Sequence, residues 1–171
     1  GPGPPPAAEV GPPAAGGRRA GERTVARLGA RQLPTQKAPV LFSPLTAAGL
    51  LRSLTGAISG SSLYRRSSFL LDRLETPIFP DFVRIHEVPH LRRGLGSAPF
   101  DGDGVATQAK DLVNQGILRT YLLDAYSARR LGLRTTGNAG GVHNLHIEPG
   151  SLGKGPLDRA GMLQALDTGL L

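Results

Sequence analysis

Apolar positions along this chain come in short patches separated by turn-forming residues, and the spacing within each patch sets the element expected there. Ala47, Leu50, Leu51, Leu54 and Ile58 recur at helical intervals and predict one face of a helix over 46–58. Ser43 and Pro44 stand where an N-cap and a first helical residue belong, because a proline there lacks only an N–H that would be unpaired anyway. The serine- and glycine-rich stretch 59–62 is expected to end that helix as a flexible turn. A shorter helix is predicted from Glu22 to Leu28, with Gly29 as its stop, and Ala38 to Phe42 has the look of a buried strand.

Further along, Phe69, Leu70 and Leu71 open an apolar patch that Pro77 and Pro80 interrupt. Phe82 to Ile85 predicts a strand. Residues 88–104 hold Pro89, Pro99 and an Asp101-Gly102-Asp103-Gly104 tetrad, which predicts loops and turns. Residues 105–123 predict a hairpin: Thr107 to Val113 forms one arm, Asn114-Gln115-Gly116 turns the chain, and Ile117 to Leu123 returns. Asp124 is placed to cap a short helix from Ala125 to Leu131, with Arg129 and Arg130 at its cation-favouring end and Gly132 to terminate it. Thr136 to Gly141 is expected to be a mobile loop, and Val142 to Ile147 a final strand. The chain closes on Met162, Leu163, Leu166, Leu170 and Leu171. No internal repeat is present. The pattern predicts an α+β fold: a mixed, largely antiparallel sheet with short helices packed on it, in an incomplete domain.

Composition changes the picture mainly at the N-terminus. Of residues 1–22, 17 are Gly, Pro or Ala, too little apolar area to offset the entropy of ordering. This stretch is expected to be a disordered or foreign segment, 1–22, ahead of a partial domain, 23–171. A start on Gly rather than Met, and an end on apolar residues, set the expectation that the domain is truncated at both ends. Cysteine is absent from all 171 residues, which removes disulfides, thiolate metal ligands and a cysteine nucleophile. No apolar run reaches the roughly 20 residues of a membrane span. A net charge of +7 raises nucleic acid as a partner. The basic residues, however, are spread as pairs such as Arg65-Arg66 and Arg92-Arg93, with no interleaved aromatics, which favours solvated faces instead.

Several short motifs invite a chemical reading. His86-Glu87-Val88-Pro89-His90 spells the zinc-peptidase pattern H-E-x-x-H. That pattern works on a helix, where residues four apart present both imidazoles to one zinc. Pro89 opposes a helix there at a cost of about 3 kcal/mol, and the preceding residues favour a strand, so a strand running into a proline turn is expected. His143 and His146, three apart in a predicted strand, fall on opposite faces. Asp101 to Gly104 lacks the later ligands of a calcium loop, since Val105 and Ala106 follow. The glycines at 137–141 and 150–155 match neither dinucleotide nor phosphate-loop patterns, and the serines at 59, 61, 62, 67 and 68 form no nucleophile elbow. From residues alone the catalytic residues are unknown, and no cofactor-binding or metal-ligating set is assigned.

Longer strings carry more weight. Arg-Leu-Gly-Ala-Arg (27–31), Gly-Ala-Ile-Ser-Gly (56–60), Ser-Leu-Tyr-Arg-Arg-Ser-Ser-Phe-Leu-Leu-Asp (62–72), Ser-Ala-Pro-Phe-Asp (97–101), Tyr-Ser-Ala-Arg-Arg-Leu-Gly (126–132) and Thr-Gly-Asn-Ala-Gly-Gly-Val-His-Asn (136–144) occur in order. From about Glu22 to Pro149 the chain resembles the PmbA (TldE) branch of the TldD/PmbA metalloprotease family. The resemblance implies a cytosolic, metal-dependent peptidase system built as a heterodimer with a TldD-type subunit and acting on peptides or unfolded proteins. It also implies that zinc is held by the partner. The TldD branch carries H-E-x-x-x-H on a helix, and Arg52, Ser53 and Ala57 fall at those places here, so none supplies an imidazole or carboxylate. The family-level expectation is a hydrolase, with this chain as the supporting subunit. The alternatives are a self-sufficient zinc peptidase using His86, Glu87 and His90, and a basic nucleic-acid-binding protein. Strand edges near 107–123 or 142–147 are candidate places to hold a peptide by β-addition.

Overall fold

The computed structural model describes residues 12–30, 32–148, 158–166 and 169. Among these residues, five helices and four strands run in the order α1 (Pro13–Val25), α2 (Pro44–Ala57), α3 (Gly60–Tyr64), β1 (Arg84–Glu87), β2 (Lys110–Asn114), β3 (Ile117–Leu118), α4 (Ala125–Leu131), β4 (Leu145–Glu148) and α5 (Arg159–Leu166). The strands form one sheet in the order β3-β2-β1-β4. Every ladder in it is antiparallel, with a bulge between Ile85 and His86. The fold is α+β, as the apolar spacing predicts.

The core gathers Leu54 and Ile58 from α2 and its cap, Leu63 from α3, Ile85, Leu112, Val113 and Leu118 from the sheet, Ala128 from α4, and Leu70, Tyr121, Leu122 and Leu123 from connecting segments. Tyr121 is its polar exception. The Tyr121 hydroxyl donates to the Leu70 carbonyl at 2.7 Å and accepts from the Arg73 N–H at 3.0 Å. Both satisfy a buried phenol and tie the 70–73 turn to the sheet.

The α2 helix forms where its apolar spacing places it. Pro44 opens it, but the Ser43 hydroxyl meets Thr46 Oγ1 at 3.0 Å and leaves the helix N–H groups uncapped. Ile58 and Leu54 face the core, whereas Leu50 is half exposed. Residues 59–62 are not the expected flexible turn. They begin α3, with Ser59 as N-cap accepting from the Ser62 N–H. Five residues are too few to hold a helix alone. Here Leu63 is wholly buried, which contributes on the order of 1.5–3 kcal/mol. The Gly60 N–H also reaches the Leu122 carbonyl at 2.8 Å, and the Leu122 N–H returns to Ile58 at 3.0 Å. A Cβ on Gly60 would collide with the Ser127 side chain, so glycine is what allows α3 to lie against α4.

Other boundaries also differ from the expectation. The helix expected at Glu22–Leu28 instead begins at Pro13 and ends at Val25, with every residue exposed. Within 1–22, residues 13–22 belong to this exposed helix, which Pro13 opens at the first helical position; residues 1–11 lie outside the described residues. Ala38 to Phe42 is not a strand of the sheet, and Val40 and Phe42 are nearly half exposed. β1 starts two residues later than Phe82 because the Val83 N–H closes a turn onto Pro80 at 3.0 Å. The hairpin turns on two residues, not three: Asn114 pairs with Ile117, and Gln115 (φ 51°) and Gly116 (φ 74°) are both left-handed, the pattern of a type I′ turn. A Cβ on Gly116 would strike the Phe79 and Pro80 carbonyls.

Beyond Leu118 the return arm leaves the ladder. The outer side of β3 is covered by 75–79, where the Glu75 N–H donates to Leu118 at 2.8 Å and the Leu118 N–H donates to Thr76 at 3.0 Å. The last strand runs Leu145–Glu148, not from Val142, so His143 stands before it. Residues 149–157 and the terminal leucines 170 and 171 lie outside the described residues, while Met162, Leu163 and Leu166 belong to α5, which buries no residue.

Candidate functional site

The sheet presents two unlike faces near β1. On one, Arg84 and His86 project beside Asp111, His146 and Glu148. Arg84 pairs with Asp111 at 2.9 Å and Glu148 at 2.6 Å. Those contacts, Glu148 first and then Asp111, hold its guanidinium above its ordinary pKa. His86 stacks on its cross-strand partner His146, with ring centres 5.5 Å apart and planes inclined by 16°. On the other face Glu87, wholly buried, ends β1.

A buried carboxylate is costly unless it is paired and hydrogen-bonded, and Glu87 is surrounded by donors. The Lys110 ammonium lies 2.9 Å from Oε2. Asn138 Nδ2 donates to both oxygens, at 2.9 and 3.2 Å. The His143 backbone N–H and its Nδ1, the latter at 3.0 Å, meet Oε1. Lys110 also reaches the Thr136 carbonyl at 2.6 Å, and Asn138 accepts from the Thr136 hydroxyl at 2.8 Å. A second carboxylate clamps the same loop from outside. Asp101 accepts from the N–H groups of Ala139, Val105 and Asp103, each at 2.9 Å. Burial opposes its charge, but the bonds from Ala139, Val105 and Asp103 outweigh that and hold the carboxyl below its ordinary 3.8. The 136–144 segment is therefore not a mobile loop: Gly137 and Asn138 are buried, held between Glu87 and Asp101.

The H-E-x-x-H letters do not make a zinc site here. His86 and Glu87 are consecutive strand residues on opposite faces. His90 Nε2 bonds the Thr107 hydroxyl at 3.0 Å, and that hydroxyl itself donates to the Ala98 carbonyl at 2.5 Å. The three side chains diverge to three separate sets of partners, and Glu87 is spent on Lys110, Asn138 and His143. His143 and His146 likewise separate, one on Glu87 and one on His86. The Asp101-to-Gly104 tetrad is a turn whose first carboxylate is filled by backbone N–H groups, while Asp103 accepts from Ala125 at the start of α4. Among the described residues no group of three or more His, Asp or Glu could hold a metal ion. Lys110 carries no motif in the sequence and Asn138 stands out only as part of the 136–144 string; the fold that brings 87, 110, 138 and 143 together is what gives them their role.

Where α2, α3 and the clamped loop meet, a cleft of about 560 Å3 opens. Arg52, Ser59, Asp124, Asn138, Gly140 and Gly141 are among its walls. Asp124 also caps α4, accepting from the Ser127 N–H at 2.6 Å, and that bond is the main reason its carboxyl lies below its ordinary pKa. Of the three α2 residues singled out in the sequence, Arg52 faces this cleft; Ser53 is turned back onto the Gly49 carbonyl at 3.1 Å.

The described residues thus form an α+β domain in which a polar clamp and a cleft lie beside α2. The family model for the PmbA/TldA metallopeptidase C-terminal domain matches residues 35–171. The chain is 50% identical over 149 residues to the metalloprotease PmbA of Escherichia coli O157:H7, covering 87% of this chain and 32% of that protein. It is 44% identical over 155 residues to a PmbA homolog of Haemophilus influenzae, covering 91% and 34%. A crystal structure from Bacteroides thetaiotaomicron, described as that of a candidate modulator of DNA gyrase, superposes with a TM-score of 0.81 at 29% identity, covering 91% of this chain and 34% of that one. The chain belongs to the PmbA/TldD metallopeptidase family, on its PmbA branch, and it spans about a third of the length of the curated relatives it matches. No helix among the described residues is long and apolar enough to cross a membrane.

Proposed function

We propose that this chain is part of a PmbA-type (TldE-type) subunit of a cytosolic peptidase system, one that shapes a substrate chamber and supports a metal-bearing TldD-type partner. The observation that carries this reading is the chemistry of α2: Arg52, Ser53 and Ala57 offer no imidazole or carboxylate to a metal. Zinc in the partner would polarise the scissile carbonyl and lower the pKa of a bound water. What this chain contributes is shape and rigidity. Its clamped loop forms a wall of the cleft, and β4 is the outer strand of the described sheet. With β3 already covered by 75–79, the Leu145–Glu148 edge is the better candidate for an extended peptide adding as a further strand.

Co-expression with a TldD-type subunit tests the reading. The two chains should purify together, and peptidase activity and stoichiometric zinc should travel with the partner. A chain that binds stoichiometric metal and cleaves peptides alone would overturn it. So would a Glu87→Gln variant of such an active chain that lost metal while its thermal unfolding stayed unchanged.

A further inference from the structure

The cleft beside α2 has features that a chamber wall alone does not require. We infer that it is a binding site for the free C-terminal carboxylate of a short peptide, with Arg52 as the anion anchor. Among the described residues the Arg52 guanidinium has neither an ion-pair nor a hydrogen-bond partner, in contrast to Arg84 and Arg119, which pair with carboxylates. A planar guanidinium facing a cleft is suited to bidentate recognition of a carboxylate.

The surrounding groups match the rest of such a ligand. The Thr55 hydroxyl donates to the Arg52 carbonyl at 3.0 Å and the Ser59 hydroxyl to the Gly56 carbonyl at 2.8 Å. Both line the cleft; the Ser59 oxygen already accepts from the Ser62 N–H as the α3 cap, so Thr55 is the hydroxyl that keeps its lone pairs for a ligand N–H. The Gly140 N–H has no acceptor among the described residues and suits a ligand carbonyl. Gly56, Gly140 and Gly141 leave the backbone bare; a Cβ added at any of them would meet nothing within 4 Å. The space above them therefore belongs to no protein atom. The Asp124 carboxylate, which also lines the cleft, opposes a second negative charge on the guest. One cation and one anion in the same cleft suit a monoanion with neutral amides behind it, and disfavour a dianion such as phosphate. A volume of about 560 Å3 falls within the range of small-ligand sites, roughly 300–1,000 Å3.

The inference needs no partner subunit, so its failure and that of the chamber reading are separable. Calorimetric titration of the full chain with N-acetyl-trialanine, with its C-terminal amide and with inorganic phosphate tests it. The free acid should bind at least about tenfold more tightly than the amide, the ~1.4 kcal/mol of one charge-assisted contact, and phosphate more weakly than the acid. Arg52→Gln, at an exposed helix position, should bring the acid down to the amide's affinity with unfolding unchanged. Arg52→Lys should retain part of the preference. Equal binding of acid and amide, an unaltered preference in Arg52→Gln, tighter binding of phosphate, or no binding of the acid would each overturn the assignment.

Discussion

Replacing Glu87 by Ala should remove a large share of the stability of this domain. The carboxylate is wholly buried, and the side chains of Lys110 and His143 are 16% and 12% exposed, so water cannot readily take over as their partner. The substitution deletes the acceptor for one ammonium, one amide, one backbone N–H and one ring nitrogen. Breaking a buried pair by removing one partner costs about 3–5 kcal/mol, against the 5–15 kcal/mol that typically holds a whole domain together. In urea, with a slope of about 2 kcal/mol per molar, the midpoint should fall by roughly 2 M. Lys110→Met should cost less, because Asn138 and His143 still satisfy the carboxylate. The double variant should be less destabilised than the sum of the two, since it removes both charges together. Amide exchange should show the 136–144 segment opening first in Glu87→Ala. A loss below about 1 kcal/mol, or strict additivity, would refute the reasoning, because it would mean that solvent or another group already satisfies these donors.

Other outcomes follow from single contacts. Asp101 has a carboxyl pKa depressed below its ordinary 3.8, so its contribution is present above that value and is lost as pH falls through the lower, folded-state pKa; Asp101→Asn should flatten the acid limb of a stability–pH curve. Gly116→Ala combines a left-handed backbone with a collision against two carbonyls, and should lower stability by about 1–3 kcal/mol in thermal unfolding. Tyr121→Phe leaves the Arg73 N–H and Leu70 carbonyl without their partner, and should cost about 1–3 kcal/mol by the same measurement. A Gly60 substitution as small as Ala should separate α3 from α4, visible as loss of the edge-on contact between Tyr64 and Tyr126, whose ring centres are 5.7 Å apart.

How far the sequence reveals this architecture depends on how local each cause is. The α4 helix was legible from end to end because its cap, its apolar side and its left-handed Gly132 lie within nine consecutive residues. The body of α2 was legible for the same reason. The α3 helix was not, since a run of serines and a glycine reads as a turn until Leu122 supplies a partner for Gly60 from 62 positions away. The start of β1 is displaced by two residues from its β-propensity signal because a turn at Pro80 outweighs the propensity of Phe82 and Val83. The clamp around Glu87 was the least accessible. The letters at 86–90 drew attention to a zinc motif, and Pro89 argued against its helix, but the donors that neutralise Glu87 come from other elements and follow no spacing rule. At the cleft, the sequence marks Arg52 only as a residue standing where a metal ligand would.

The wide separation of the Glu87 partners has a consequence for how the domain is made. Its bonds to Asn138 and His143 span 51 and 56 residues, and forming them early would require closing a long stretch of chain against its entropy. On a ribosome, Lys110 can pair the acid once β2 has emerged, but the bonds from Asn138 and His143 must wait until the loop follows. The wall that the loop gives the cleft therefore cannot close before residues 138 and 143 are available to β1.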